Sequence, residues 1–288
     1  MTSIDLHMHT TISDGTDGPE EIVSHIGEKG ITCFSITDHD AVAAAKIIPS
    51  YLKASGKHVT FISGVEFSCK DEQGKYHILG YGYDPDQASM RAVVARGHQL
   101  RMMKMQERLK ELKEKFQVVL QDQQVEELLK LDNPGKPHLA RLLVESGYAP
   151  DKATAFSKYL NSIHAKSVYL RPEEAIEGIL AAGGIPVLAH PLFGSGEESL
   201  TVEELSARVA RLKKIGISGL EAYYSGFSKM QTEEVLTIAS NEKLYVTVGS
   251  DYHGRNKKVQ LGDTGLPRKT DWPPALLEFL HDVNKYEC

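Results

Sequence analysis

Runs rich in β-branched and aromatic residues recur along the chain and predict seven strands: Ile4 to His9, Ile31 to Thr37, Val59 to Phe67, Tyr76 to Tyr83, Ile185 to Ala189, Gly219 to Tyr224 and Leu244 to Gly249. Segments with helical spacing lie between most of them. The first has Pro19 just inside its start, Glu20 and Glu21 in its first turn and Gly30 beyond its end, the asymmetry expected of a helix. Another opens with Thr201 and carries Glu204 three positions later, a capping box. The alternation lapses between about Asp86 and Ser167, where Met102, Met105, Leu109, Leu112 and Phe116 recur at helical spacing and no strand is convincing. These methionines are core filler, and the Lys and Arg residues between them form a solvated face. The expectation is one α/β barrel made from residues 1–85 and 168–288, interrupted by a helical insertion or cap at 86–167.

Composition narrows the class. Hydrophobic residues are 41% and charged residues 25% of the 288, as in ordinary globular proteins. A formal net charge of -6 argues against a broad basic surface for nucleic acid, although bound divalent cations would reverse the field of an acidic pocket. Cys33, Cys69 and Cys288 are odd in number and widely separated, which argues against a disulfide framework and a thiolate zinc site. Met1 to Thr10 alternates polar and apolar residues without a basic leader, and no window approaches a membrane span. A cytoplasmic protein with no obligate protein partner is expected.

Chemistry gathers at the strand ends. In Ile4 to His9, strand periodicity puts Asp5, His7 and His9 on one face, so the two imidazoles can converge on one cation. Asp14 follows in the loop. Thr37-Asp38-His39-Asp40 closes the second predicted strand, Glu66 ends the third, and His77 follows a turn at Asp71 to Lys75. His190-Pro191 ends the fifth, and Asp251-Tyr252-His253 ends the seventh. A lone histidine or acid in such a place is usually a hydrogen-bonded core residue or a helix cap. Repetition at five histidine-bearing strand ends, which gather at one mouth in a barrel, points instead to a metal centre. Its nitrogen and oxygen donors, without sulfur, suit Mn²⁺, Zn²⁺, Fe²⁺ or Mg²⁺. Glu66 is placed to bridge two of them.

These motifs resemble the PHP family, named for its polymerase and histidinol phosphatase members: an H-x-H strand, a T-D-H-D segment, a later Glu and His, an H-P and a terminal D-x-H, all here in that order. The chain looks most like the stand-alone phosphoesterases with a helical insertion, a subgroup that includes nucleoside 3',5'-bisphosphate phosphatases and 5' to 3' exoribonucleases. The resemblance implies a distorted (β/α)₇ barrel and two or three divalent metal ions, Mn²⁺ foremost. It implies that His7, His9, Glu66 and Asp251 hold one ion, that Glu66, His77 and His190 hold a second, and that Asp14, His39 and His253 hold a third. Gly135 to Arg141 is similar to the subgroup's R-P-H-x-A-R stretch, with Lys136 in place of arginine, and implies that Lys136, His138 and Arg141 grip substrate. Lysine supplies a point charge where arginine would offer a fork.

The expected activity is hydrolysis of a phosphate monoester of a small nucleotide, such as a nucleoside 3',5'-bisphosphate, by a metal-bridging hydroxide and without a covalent enzyme intermediate. Asp40 or His190 would protonate the leaving group. The competing readings are a 5' to 3' exoribonuclease on short RNA, a metal-dependent amidohydrolase, and a non-catalytic metal-binding module. An amidohydrolase often bridges its ions with a lysine, and no lysine stands at an obvious strand end here.

Overall fold

The computed structural model describes residues 3–56, 58–131, 133–163, 168–195, 199–267 and 269–283. The expected end of the insertion at Ser167, and Cys288, lie outside the described residues. Strands are β1 (Ser3–Asp5), β2 (Ile31–Phe34), β3 (Thr60–Phe61), β4 (Gly64–Asp71), β5 (Gly74–Tyr81), β6 (Ile185–Leu188), β7 (Gly219–Tyr224) and β8 (Tyr245–Gly249). Helices are α1 (Pro19–Glu28), α2 (Ala43–Ser55), α3 (Ala88–Phe116), α4 (Asp122–Lys130), α5 (Lys136–Glu145), α6 (Lys152–Ala155), α7 (Pro172–Ala181), α8 (Val202–Ile215), α9 (Lys229–Glu242) and α10 (Pro274–Val283).

One sheet is parallel, in the order β1-β2-β3; the other runs β4-β5-β6-β7-β8. Extended backbone beyond the strands joins the two into a barrel. After β1, Leu6 N–H donates to the Val248 carbonyl and Asp251 N–H to the His7 carbonyl, 2.9 and 2.8 Å, while Thr37 N–H reaches the Met8 carbonyl on the other side at 2.9 Å. After β2, Asp40 N–H donates to the Glu66 carbonyl at 2.9 Å. These ladders pull the H-x-H, T-D-H-D, Glu66 and D-x-H segments to the same end of the barrel.

One expectation is corrected. The strand read from Val59 to Phe67 is two strands in two sheets, turning at Ile62 and Ser63, where the Ser63 carbonyl accepts Gly82 N–H at 3.0 Å and its hydroxyl donates to the Tyr83 carbonyl. The barrel mixes both kinds of pairing: β4 with β5 and β5 with β6 are antiparallel. The two-residue connection after Asp71 can only make a hairpin, since a parallel return needs a long crossover.

Helix ends follow the local chemistry. Glu21 accepts the Gly18 N–H at the start of α1, and Thr201 and Glu204 exchange hydrogen bonds at the start of α8. Phe67, Leu79, Tyr81, Val187, Leu220 and Val246 of the larger sheet are buried in one core with Ile176 and Ile179 of α7 and Phe279 of α10. Ile22, Ile26, Ile48 and Phe34 join α1 and α2 to the parallel sheet. Residues from Met105 to Ile163 form a cluster of their own around Leu112, Leu139, Leu143 and Leu160. The first half of α3 packs Met90, Val93 and Leu100 into the main core.

Candidate metal centre

Glu66 stands at the middle of the barrel mouth, with 1% of its surface exposed. Five imidazoles reach it. His7 Nε2, His9 Nε2, His39 Nδ1, His77 Nδ1 and His190 Nε2 lie 3.4, 3.1, 3.1, 2.8 and 3.2 Å from its oxygens. Antiparallel pairing sets His77 opposite Ser68, two positions from Glu66, so both side chains rise from one face of the hairpin. Asp251 Oδ1 lies 3.6 Å from His7 Nε2 and 3.5 Å from His9 Nε2, and Asp14 Oδ1 lies 3.3 Å from His253 Nε2.

Three of the turning points have positive φ without being glycine: Asp40 (48°), His190 (27°) and Asp251 (57°). Such backbone costs on the order of 1–3 kcal/mol per residue, a strain that gathers where side chains must be aimed at a site. Gly249 allows a close approach. A Cβ there would meet His7 Cβ at 2.2 Å and Glu221 Oε1 at 2.4 Å.

Electrostatics define what the cluster can hold. Burial would raise the Glu66 carboxyl, but the rings of His77, His7 and His39 hold it well below the usual carboxylate range. Burial likewise opposes ionisation of Asp14 and Asp251, and His253 with His39, and Lys257 with His253, overcome it. Burial pushes His39 well below the ordinary imidazole value and also lowers His9, which keeps ring lone pairs available. His39 Nδ1 and His190 Nδ1 are buried without a hydrogen-bond partner among the described residues.

The spacings fit divalent cations. Ligands about 2.1 Å from a tetrahedral ion stand roughly 3.4 Å from one another, and most of the distances above fall between 3.1 and 3.6 Å. The donors fall into four groups: His9-Asp14-His39-His253, His7-His9-Glu66, His7-His190-Asp251 and His39-Glu66-His77. All nine residues expected as ligands are brought together. Asp14, His39 and His253 share a group as the resemblance implies, and His7, His9 and Glu66 share another; His39 also stands with Glu66 and His77, and His190 with His7 and Asp251 as well as 3.2 Å from Glu66.

Around this set lies a shell of orienting groups. Glu221 binds His7 Nδ1 at 2.8 Å and accepts the His190 N–H at 2.7 Å, turning His7 Nε2 toward the cluster. His253 Nδ1 donates to the Asp251 carbonyl at 2.9 Å, which leaves its Nε2 lone pair facing Asp14. Asp38 accepts from Thr10 N–H, Thr10 hydroxyl and Ser13 hydroxyl, fixing the Asp14 loop. Asp5 accepts from the Ser250 N–H and hydroxyl and from Gly262 N–H; burial pushes its carboxyl up to about 6 against these bonds.

Sequence reasoning passed over Glu221, although a lone acid between the buried Leu220 and Ala222 of a strand is a usable signal. It also missed Arg101, one cation among many on α3. Both Nε and an Nη of Arg101 bind Asp40 Oδ2, and Ser68 N–H reaches Asp40 Oδ1 at 3.3 Å. Asp40, expected as a proton donor, thus has both oxygens engaged as acceptors. His138 and Arg141 line one pocket beside the centre, whereas Lys136, the first residue of α5, is not among the residues lining it.

Glu221→Gln keeps the shape of the side chain and weakens its hold on His7. Metal affinity should fall about 10–100-fold, as for other orienting partners of metal ligands, measured by competition with a chelating dye.

A family model described as the PHP domain matches residues 5–171. A 5'-3' exoribonuclease, Rnm, of Salmonella typhimurium is 33% identical over 282 residues, 95% of this chain and 91% of that protein. A 3',5'-nucleoside bisphosphate phosphatase of Chromobacterium violaceum is 26% identical, over 95% of this chain and 94% of the other. A crystal structure from Bifidobacterium adolescentis, of a protein assigned to the metal-dependent phosphoesterases, superposes with a TM-score of 0.81 at 27% identity, over 98% and 96% of the two chains. A barrel mouth crowded with imidazoles and carboxylates, and a match running through most of the motifs that build it, make this chain a member of the PHP family and a metal-dependent phosphoesterase.

Proposed function

We propose that the chain removes a phosphate from a small nucleotide, a nucleoside 3',5'-bisphosphate in the leading version, with residues 86–167 capping the barrel mouth. The observation that carries this is the meeting of the Glu66 cluster with polar side chains of that segment: Arg101 reaches Asp40 beside His39, and the Arg141 cation and the His138 ring line a pocket with Gly15, next to Asp14. Two or three divalent ions would be held by His7, His9, Asp14, His39, Glu66, His77, His190, Asp251 and His253, with Mn²⁺ the leading choice. When bound, they supply positive charge to phosphoryl oxygens and make water a better nucleophile.

The chain's own residues do the rest. Glu221, Asp5 and Asp38 hold the ligand-bearing segments so that no reorganisation is needed as charge develops. Asp40 keeps the Arg101 guanidinium at the mouth instead of giving up a proton. His190, with Nδ1 unpaired, remains the better of the two groups considered for protonating the leaving oxygen. An amidohydrolase is disfavoured because a glutamate fills the central position.

A second reading, a 5' to 3' exoribonuclease on short RNA, is favoured by the 33% identity to the Salmonella typhimurium enzyme. The two chemistries are close, since both break the bond between phosphorus and a 3' oxygen. The deciding assay gives the Mn²⁺-loaded protein a nucleoside 3',5'-bisphosphate, a 5'-mononucleotide, histidinol phosphate and short 5'-phosphorylated RNA. The bisphosphate should exceed histidinol phosphate in kcat/KM by at least about tenfold, equivalent to roughly 1.4 kcal/mol. Faster release of mononucleotides from RNA selects the second reading, and equal turnover of histidinol phosphate rejects both.

A further inference from the structure

We propose that Lys104 of α3, buried beside Tyr169 and one turn beyond Arg101, binds a backbone phosphate of an RNA strand, the one that follows the scissile phosphate. This rests on the phosphoesterase reading above and deepens its second version.

Lys104 calls for an anion. It does not lie on a solvated face of α3, since the residue is 7% exposed. Its Nζ stands 3.8 Å from the centre of the Tyr169 ring, and no hydrogen bond or ion pair joins it to another of the described residues. Its surroundings add positive charge. Arg101 lies three positions earlier on the same face of α3, Arg108 lies four positions later, and Lys75 of β5 stands 5.8 Å from the same ring. Asp40, the acid that acts on Lys104, is already engaged by two nitrogens of Arg101. Burial and then Arg101 bring the Lys104 ammonium down to about 7 against the pull of Asp40, and Arg108 and Lys75 add to the fall. A charge kept dry among like charges is destabilising until an opposite charge completes it, and perturbed groups of this kind gather at functional sites.

The place of these cations gives the anion its identity. Arg101 Nη2 donates to Ser68 Oγ at 3.2 Å, and Ser68 pairs with His77 across the β4–β5 hairpin. Asp40 follows His39 in the chain. Tyr169 is tied to the same hairpin, because the carbonyl of the next residue, Leu170, accepts the Lys70 N–H at 3.0 Å. The row of cations therefore starts at the His39 and His77 edge of the metal centre and leads away from it along α3. Successive turns of a helix are about 5.4 Å apart, and a nucleic-acid strand repeats one negative charge at every nucleotide. With the scissile phosphate on the metals, the next phosphate of a strand can meet Lys104. A nucleoside 3',5'-bisphosphate ends at the scissile phosphate on this side and has no group to reach it. Aromatic rings among cations are also the usual means of holding single strands. One such site suits a short strand, in keeping with a net charge of -6.

The test compares a 5'-phosphorylated trinucleotide, which carries that phosphate, with the 5'-phosphorylated dinucleotide, which ends before it. Calorimetric titration of the chelator-treated full chain near pH 6 should show the trinucleotide binding about tenfold more tightly, the size of one charge-assisted contact. The preference should shrink as the pH is raised to about 8, because the ammonium is present below its own value and lost above it. Lys104→Met keeps the apolar stem and removes the charge, so it should hold or raise Tm, and its preference should be small and flat with pH. Lys104→Arg, charged throughout, should keep the preference and lose its pH dependence. In the Mn²⁺-loaded enzyme the trinucleotide to bisphosphate ratio of kcat/KM should fall about tenfold in Lys104→Met. Equal or undetectable binding of the two oligonucleotides by the wild type, or a preference that Lys104→Met leaves intact, overturns the site. Inorganic phosphate binding as tightly as the trinucleotide would make it a site for a free anion and overturn the strand. If the loaded wild type hydrolyses none of these esters, the phosphoesterase reading fails, and the titration still decides the site.

Discussion

Glu66→Gln lowers kcat/KM by at least about 10²–10³-fold, the loss typical of removing one group that stabilises the reacting charge, and strips cation from the protein. The substitution is nearly isosteric, so packing around the 1% exposed side chain is kept. Its charge is not. Five imidazoles approach the Glu66 oxygens within 3.4 Å, and no other acid can take that place: Asp14 reaches the His39 and His253 side, and Asp251 the His7 and His9 side. An amide offers one weak acceptor and an NH₂ donor turned toward rings that must themselves donate lone pairs. Metal content by elemental analysis should fall together with activity, while far-ultraviolet circular dichroism stays that of the wild type. Full activity with full metal content would remove Glu66 from the centre.

Chelation has the second large effect, read in stability as well as in rate. The donors come from segments between residues 7 and 253, so the unfolded chain cannot present them together, and an ion bound to the folded state alone stabilises it by mass action. At one hundred times its dissociation constant this amounts to about 2.7 kcal/mol. For a chain of this size that is about 5 °C in Tm, taking roughly 2 °C per kcal/mol. Exhaustive chelation should therefore lower Tm by at least that much and abolish turnover, and added Mn²⁺ should restore both. A Tm indifferent to chelator and metal would mean that these groups do not hold an ion across the fold.

The ligand-bearing ends were legible because each combines two independent signals: an apolar strand whose period sets one face, and a titratable pair just where it ends. His7 with His9, and Asp251 with His253, are of this kind. The hairpin carrying Glu66 and His77 was legible from its short turn. What escaped depends on contacts distant in sequence. The break at Ile62 and Ser63 answers to Gly82 and Tyr83, and the antiparallel union of β5 with β6 joins segments separated by the whole 86–167 stretch. Glu221 lay within a correctly read strand, but its role depends on His7, 214 positions away. Arg101 was hidden by its neighbours, since only the fold sets one cation of α3 apart by burying it against Asp40.

The most direct measurement is an anomalous difference map from a crystal grown with Mn²⁺ and recorded at its absorption edge. Peaks should appear at the barrel mouth about 2.0–2.3 Å from donor atoms of His7, His9, Glu66 and Asp251, with Glu66 shared by two ions. A mouth with no anomalous density, and ions only on scattered surface carboxylates, would contradict the metal centre and the phosphoesterase chemistry built on it.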